Sequence, residues 1–139
     1  MTLQVELVVP EGEIWAGPAQ MVIAKTLDGD IGVLTGHTPV LGILAEGSVV
    51  RIMPEEGAND RGEIIAAVGG GFFSVADDRV SVLARQAQLG HEVDRQAAQT
   101  ALNDALQDSG ASDHGDEEST DVRYFRALLR ASGDSADRP

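Results

Sequence analysis

The sequence contains no cysteine among its 139 residues, which excludes disulfides and thiolate-ligated metals. Aromatic residues are scarce: one Trp, one Tyr and three Phe, so the core has to be built mostly from aliphatic side chains. No stretch approaches the roughly 20 apolar residues that a bilayer-spanning helix needs. Residues Met1 to Glu6 lack the basic segment and long apolar run of a secretory signal, and the expectation is a soluble, cytoplasmic protein. Basic residues are few, 10 Lys and Arg against 23 Asp and Glu, for a formal net charge of -13. That charge argues against binding nucleic-acid phosphates or an anionic membrane surface and favours partners with basic surfaces. Plain solubility accounts for most of it.

Catalytic constellations are missing as well. His37, His91 and His114 are scattered, without the i, i+4 pairing that holds a metal on a helix. No nucleophile elbow or zincin motif occurs. Gly69-Gly70-Gly71 invites a phosphate-loop reading, but such a loop must open a helix whose amides hold the phosphate. Here Phe72 to Ala76 continues as a strand, so a bulge or close backbone approach explains the glycines better. Asp77-Asp78 and Asp28-Gly29-Asp30 read as turns rather than as acid/base pairs.

What is present is a run of short strands. Residues 3–9 alternate around Val5, Leu7 and Val9, the period of a half-buried strand. Glu13 to Ala16 reads as a short strand ended by Gly17-Pro18, and Ala19 to Leu27 as the next. Asp28-Gly29 signals a hairpin, with Ile31 to Leu34 returning from it toward the stops at Gly36 and Pro39. Val40 to Leu44, Ser48 to Met53, Glu63 to Val68, Phe72 to Ala76 and Arg79 to Ala84 follow, separated by turns and by a polar loop over 55–62. Eight or more such strands predict an all-β sandwich or barrel over residues 1–85.

Beyond Arg85 the period changes. Val93, Ala97, Ala98, Ala101, Leu102, Ala105 and Leu106 share one helical arc that stops at Ser109-Gly110. An acidic linker occupies about 110–121, and a second helix is predicted over Val122 to Ala131, capped by Ser119, Thr120 or Asp121. Val122, Phe125, Leu128 and Leu129 form its expected apolar face, with Arg123, Arg126 and Arg130 opposite and residues 132–139 frayed. These arginines suit an acidic partner surface, and equally the helix dipole and the neighbouring acidic run. Short, alanine-rich helices need docking for stability, so a helical domain over 86–139 leans on something.

Taken in order, Glu13-Ile14-Trp15-Ala16-Gly17, Gly29-Asp30-Ile31-Gly32-Val33-Leu34-Thr35-Gly36-His37-Thr38-Pro39-Val40-Leu41, Leu44, Gly47, Gly69-Gly70-Gly71-Phe72-Phe73-Ser74-Val75 and Val80-Ser81-Val82-Leu83-Ala84 form a set. That set resembles the epsilon subunit of bacterial F-type, proton-translocating ATP synthase, and it covers the whole β module. The resemblance implies a flattened, ten-stranded β-sandwich followed by a two-helix hairpin or extended helical tail. It implies a non-catalytic rotor subunit of the central stalk, coupling c-ring rotation to ATP synthesis through γ, at the cytoplasmic face of the bacterial cell membrane without inserting into it. Asp30 and His37 carry over as candidate c-ring contacts, and a sandwich face should pack on γ. Arg123, Arg126 and Arg130 become candidate contacts with the catalytic α/β head, where the tail of this family can restrain ATP hydrolysis.

One motif departs from the family. Some members bind ATP through Ile/Leu-Asp-x-x-Arg-Ala at the start of the first tail helix, and the matching stretch here is Val93-Asp94-Arg95-Gln96-Ala97-Ala98. Only Asp94 matches, and Arg95 stands about 200° round a helix from the required position. Weak or absent ATP binding by the isolated chain is expected, with no other cofactor. The competing reading is a free-standing β-sandwich binding module with a helical oligomerisation tail.

Overall fold

The computed structural model describes residues 2–55, 62–110 and 119–134. Among these, nine strands form one continuous hydrogen-bonded system: β1 (Leu3–Val9), β2 (Gly12–Thr26), β3 (Gly29–Val33), β4 (Val40–Ile43), β5 (Ser48–Pro54), β6 (Ile64–Val68), β7 (Gly71–Ala76), β8 (Arg79–Ala84) and β9 (Ala87–Leu89). Two helices follow, α1 (Arg95–Gly110) and α2 (Thr120–Asp134). Most of the polar loop over 55–62, the acidic linker, His114 and residues 135–139 lie outside the described residues.

Where Gly17-Pro18 suggested two strands, β2 is one of 15 residues, and β9, not read from the sequence, restores the count to nine rather than ten. The first half of β2, Gly12 to Ala19, pairs with β1. Its second half pairs with β5 over Ala19–Ile23 and with β3 over Val22–Thr26. A register irregularity between Ala19 and Met21 marks the change of partner, as expected of a strand that bends from one layer into another. Pro18 is tolerated beside this corner, and its carbonyl accepts the Glu55 N–H at 3.3 Å. One layer is therefore β4-β7-β8-β1-β2 and the other β3-β2-β5-β6-β9, with β1 and β8 parallel and the other pairings antiparallel. The sheet runs past Arg85, because β9 pairs with β6.

Alternation puts Leu3, Val5, Leu7 and Val9 inside, against Val22, Val50, Ile52, Val68, Phe73, Val75, Val80 and Val82. Phe73 is the largest fully buried side chain, in a core otherwise aliphatic, as the composition requires. The glycine triplet serves shape. Gly70 and Gly71 have φ of +79° and +128°, and a Cβ on Gly71 would collide with the Leu83 carbonyl across the β7–β8 pair. Across the same turn, Arg85 Nη2 donates to both carboxylate oxygens of Glu46.

Phe73→Ala empties the centre of this core and should cost about 3–5 kcal/mol of unfolding free energy. Urea titration followed by the fluorescence of Trp15, the sole tryptophan, checks it; a loss below about 1 kcal/mol would contradict a tightly packed site.

Candidate functional site

The surface with most to explain is the seam where the helices meet the sandwich. Ser119 caps α2, its Oγ accepting the Val122 N–H at 3.2 Å. Asp94 does the same for α1, its carboxylate accepting the Ala97 N–H at 3.0 Å. The single match to the ATP-binding motif thus has a structural task.

It is α2 that lies on the sheet, over β5, β6 and β9 and beside the 3₁₀ turn Gly90–Glu92, while α1 packs on α2. The buried hydrophobic residues of α2 are Val122, Tyr124, Ala127, Leu128 and Ala131, of which the last four pack against Ile65 and Ala67 of β6 and Ala98 of α1. Phe125 and Leu129, expected on the apolar face, are only half-buried. The face is wider than the sequence pattern suggested because two neighbours cover it. That burial also carries α2 past the expected fraying point to Asp134, with Ala131 and Gly133 enclosed. On α1, only Ala98 and Leu102 of the predicted arc are buried, since that helix has one partner.

The arginine face is not turned wholly to solvent. Arg123, Arg126 and Arg130 line one cavity of about 370 Å³ together with Gly47, Leu102 and Leu129. Arg123 is half-buried, and its backbone lies so close to Gly47 that a Cβ there would collide with it. Arg130 Nη2 donates to the Gly47 carbonyl at 2.9 Å. Among the described residues, Arg130 thus has a sandwich carbonyl as a partner.

Asp30 is exposed on β3, opposite Lys25 of β2. It lines a smaller, polar cavity of about 190 Å³ with Lys25, Glu46, Arg51 and Arg130. His37 is elsewhere. Its turn is tied by the Gly36 N–H to Asp78 Oδ1 (2.7 Å) at the β7–β8 hairpin. Its Nδ1 lies 2.7 Å from the Thr38 carbonyl, an acceptor only, so that nitrogen carries the proton. Asp30 sits with the β4–β5 turn near the Ala84 end of β8, and His37 at the Arg79 end, so they occupy opposite ends of the sandwich. The two expected ring contacts are not brought together. A strand reading places residues along a chain; which end each reaches depends on the path of β2 and β3 between layers.

The sequence also concealed an exposed apolar row. Ile43, Phe72, Leu83 and Val8 are successive register partners on β4, β7, β8 and β1, all on the outer face of one layer. Phe72 is 53% exposed, Ile43 52% and Leu83 45%, with Leu41 farther along β4 at 72%. Outward positions on a half-buried layer should be polar. The breaks in alternation at Phe72-Phe73 and Val82-Leu83 were the available signal, but adjacency needs the strand order. Among the described residues no group of His, Asp and Glu could hold a metal ion, and no helix is long and apolar enough to cross a membrane.

Comparison with known proteins agrees with this architecture. The family described as ATP synthase, Delta/Epsilon chain, beta-sandwich domain matches residues 2–90. The ATP synthase epsilon chain of Thermobifida fusca is 56% identical over 104 residues, 74% of each chain. That of Streptomyces coelicolor is 43% identical over 129 residues, covering 92% of this chain and 97% of its own. Among solved structures, a chain of the Euglena gracilis mitochondrial ATP synthase (OSCP/F1/c-ring) superposes with a TM-score of 0.68 at 22% identity, covering 99% of this chain and 82% of that one. A chain of the Tetrahymena thermophila mitochondrial ATP synthase central stalk/c-ring gives 0.56 at 16%, covering 97% and 96%.

Tyr124, the sole tyrosine, reports on the seam. Burial pushes its phenol above the ordinary 10.0, because the anion is poorly solvated there. A raised folded-state value means the folded chain holds the proton more tightly. This stabilisation is whole below pH 10.0 and is lost as pH rises through the folded value. Thermal melts should lose stability above that pH, and Tyr124→Phe should lose less; equal losses would show that Tyr124 is not desolvated.

Proposed function

The chain belongs to the epsilon chains of ATP synthase, non-catalytic subunits of the F-type central stalk, and on that footing we propose that its sandwich is the clamp between γ and the c-ring. The observation that carries this is the apolar row Ile43–Phe72–Leu83–Val8. A torque-bearing contact has to be permanent, and permanent interfaces are the more apolar ones. The row is therefore the γ-facing surface. Asp30 is the ring-facing candidate, an exposed carboxylate on a rigid hairpin strand, suited to the basic partner that a net charge of -13 favours. His37, at the other end and committed to its own turn, contributes to the shape of that turn rather than to the ring contact. The complex would hold the chain at the cytoplasmic face of the bacterial cell membrane as a peripheral subunit.

The second part of the proposal concerns the tail. With α2 docked, Arg130 is occupied at Gly47. Release of α1 and α2 would present the arginines to the acidic surface of a catalytic β subunit, where they restrain ATP hydrolysis.

Two measurements test these parts separately. Phe72→Asp puts a charge in the row without entering the core, so the chain should fold yet co-purify poorly with γ; undiminished recovery with γ would remove the row from that interface. Removing the tail after Val93, which spares β9, should raise the ATP hydrolysis rate of the assembled complex. An unchanged rate would end the inhibitory role.

A further inference from the structure

The docked position of α2 depends on two close backbone approaches, one near each end of the helix. At Gly47, in the β4–β5 turn, φ is +62° and a Cβ would run into the backbone carbonyl and Cβ of Arg123. At Gly90, in the 3₁₀ turn after β9, a Cβ would run into the carbonyl of Ala131. Arg123 and Ala131 are eight residues apart, about 12 Å along the helix. Between them α2 presents Ala127 to the sheet, whose β6 answers with Ala67, both fully buried. The helix thus lies lower on the sandwich than ordinary side-chain packing permits, held at both ends by contact with glycine.

We propose that Gly47 and Gly90 are a pair of seats that fix the tail in its docked position and, through the Gly47 carbonyl, keep Arg130 from any other partner. An accidental resting place would need neither glycine, whereas here a single methyl group at either seat forces the helix outward. The seats differ in a useful way. Gly47 lies in the left-handed region, so any substitution there also strains its turn. Gly90 has no positive φ, so alanine there conflicts only with what packs against it, Ala131 first. The tail would then leave its seat without a defect in the strands, and the equilibrium would shift toward the released form.

The effect on hydrolysis rests on the inhibitory role proposed above; the seats themselves do not. The test is hydrogen exchange of the full-length chain carrying Gly90→Ala, with Gly32→Ala as control. Gly32 lies on the same outer face, where an added Cβ meets only the tip of Met21 at 3.4 Å. The α2 amides should exchange at least about tenfold faster in Gly90→Ala, the consequence of a clash with no room to relax, while β1 to β8 amides and the control stay unchanged. Arg130→Ala should produce a smaller change in the same direction. Unchanged α2 exchange in Gly90→Ala would overturn the proposal, and so would a uniform rise over helix and sandwich, since the helix would then have no separate seat. Assembled into the complex, Gly90→Ala should lower ATP hydrolysis. If α2 is released but hydrolysis is unaltered, the seats stand and the inhibitory role falls.

Discussion

Both layers of the sandwich depend on β2. Its 15 residues are hydrogen-bonded to β1 at one end and to β3 and β5 at the other. One bent strand therefore sets the angle between the layers and the register of each. The apolar row on the β4–β7–β8–β1 face and the seat for α2 on the β5–β6 face are fixed relative to each other through it. The clamp proposed above needs that property, because torque received on one surface is delivered from another only if the body between does not shear. The core suits this: aliphatic, interdigitated, with a single large aromatic at its centre.

The helical tail is attached by a different principle. Its contact with the sheet combines bulky side chains, Tyr124 and Leu128 with Ile65, with small ones, Ala67, Ala127 and Ala131, and close approach at Gly47 and Gly90. The bulky side chains supply the apolar burial, while the contacts with glycine set how closely the helix lies. Such an arrangement suits the tail proposed above to be either docked or released.

Much of this was legible in the chain. Alternation in residues 3–9, the turn signals at Asp28-Gly29 and Asp77-Asp78, and the change to helical spacing after Arg85 identified most of the elements and their order. The Gly17-Pro18 pair misled, since it reads locally as a stop yet sits beside a strand corner where the ladder changes partner. The extent of the apolar face on α2 was also too narrow, because periodicity reports one buried side and this helix has two.

The sequence by itself determined what the chain can be made of: an aliphatic sandwich, two helices with a cap on the second, a bulge or close backbone approach at the glycine triplet, and no recognisable catalytic motif. Those properties are local, set by side-chain period, turn chemistry and residue type. Only the tertiary structure decided which residues act together. It separated Asp30 from His37, joined Ile43, Phe72, Leu83 and Val8 into one row, and brought Arg130 to Gly47 across 83 positions of chain. Those outcomes follow from strand order and from how closely a helix can approach a sheet, which are non-local quantities that no window of sequence contains.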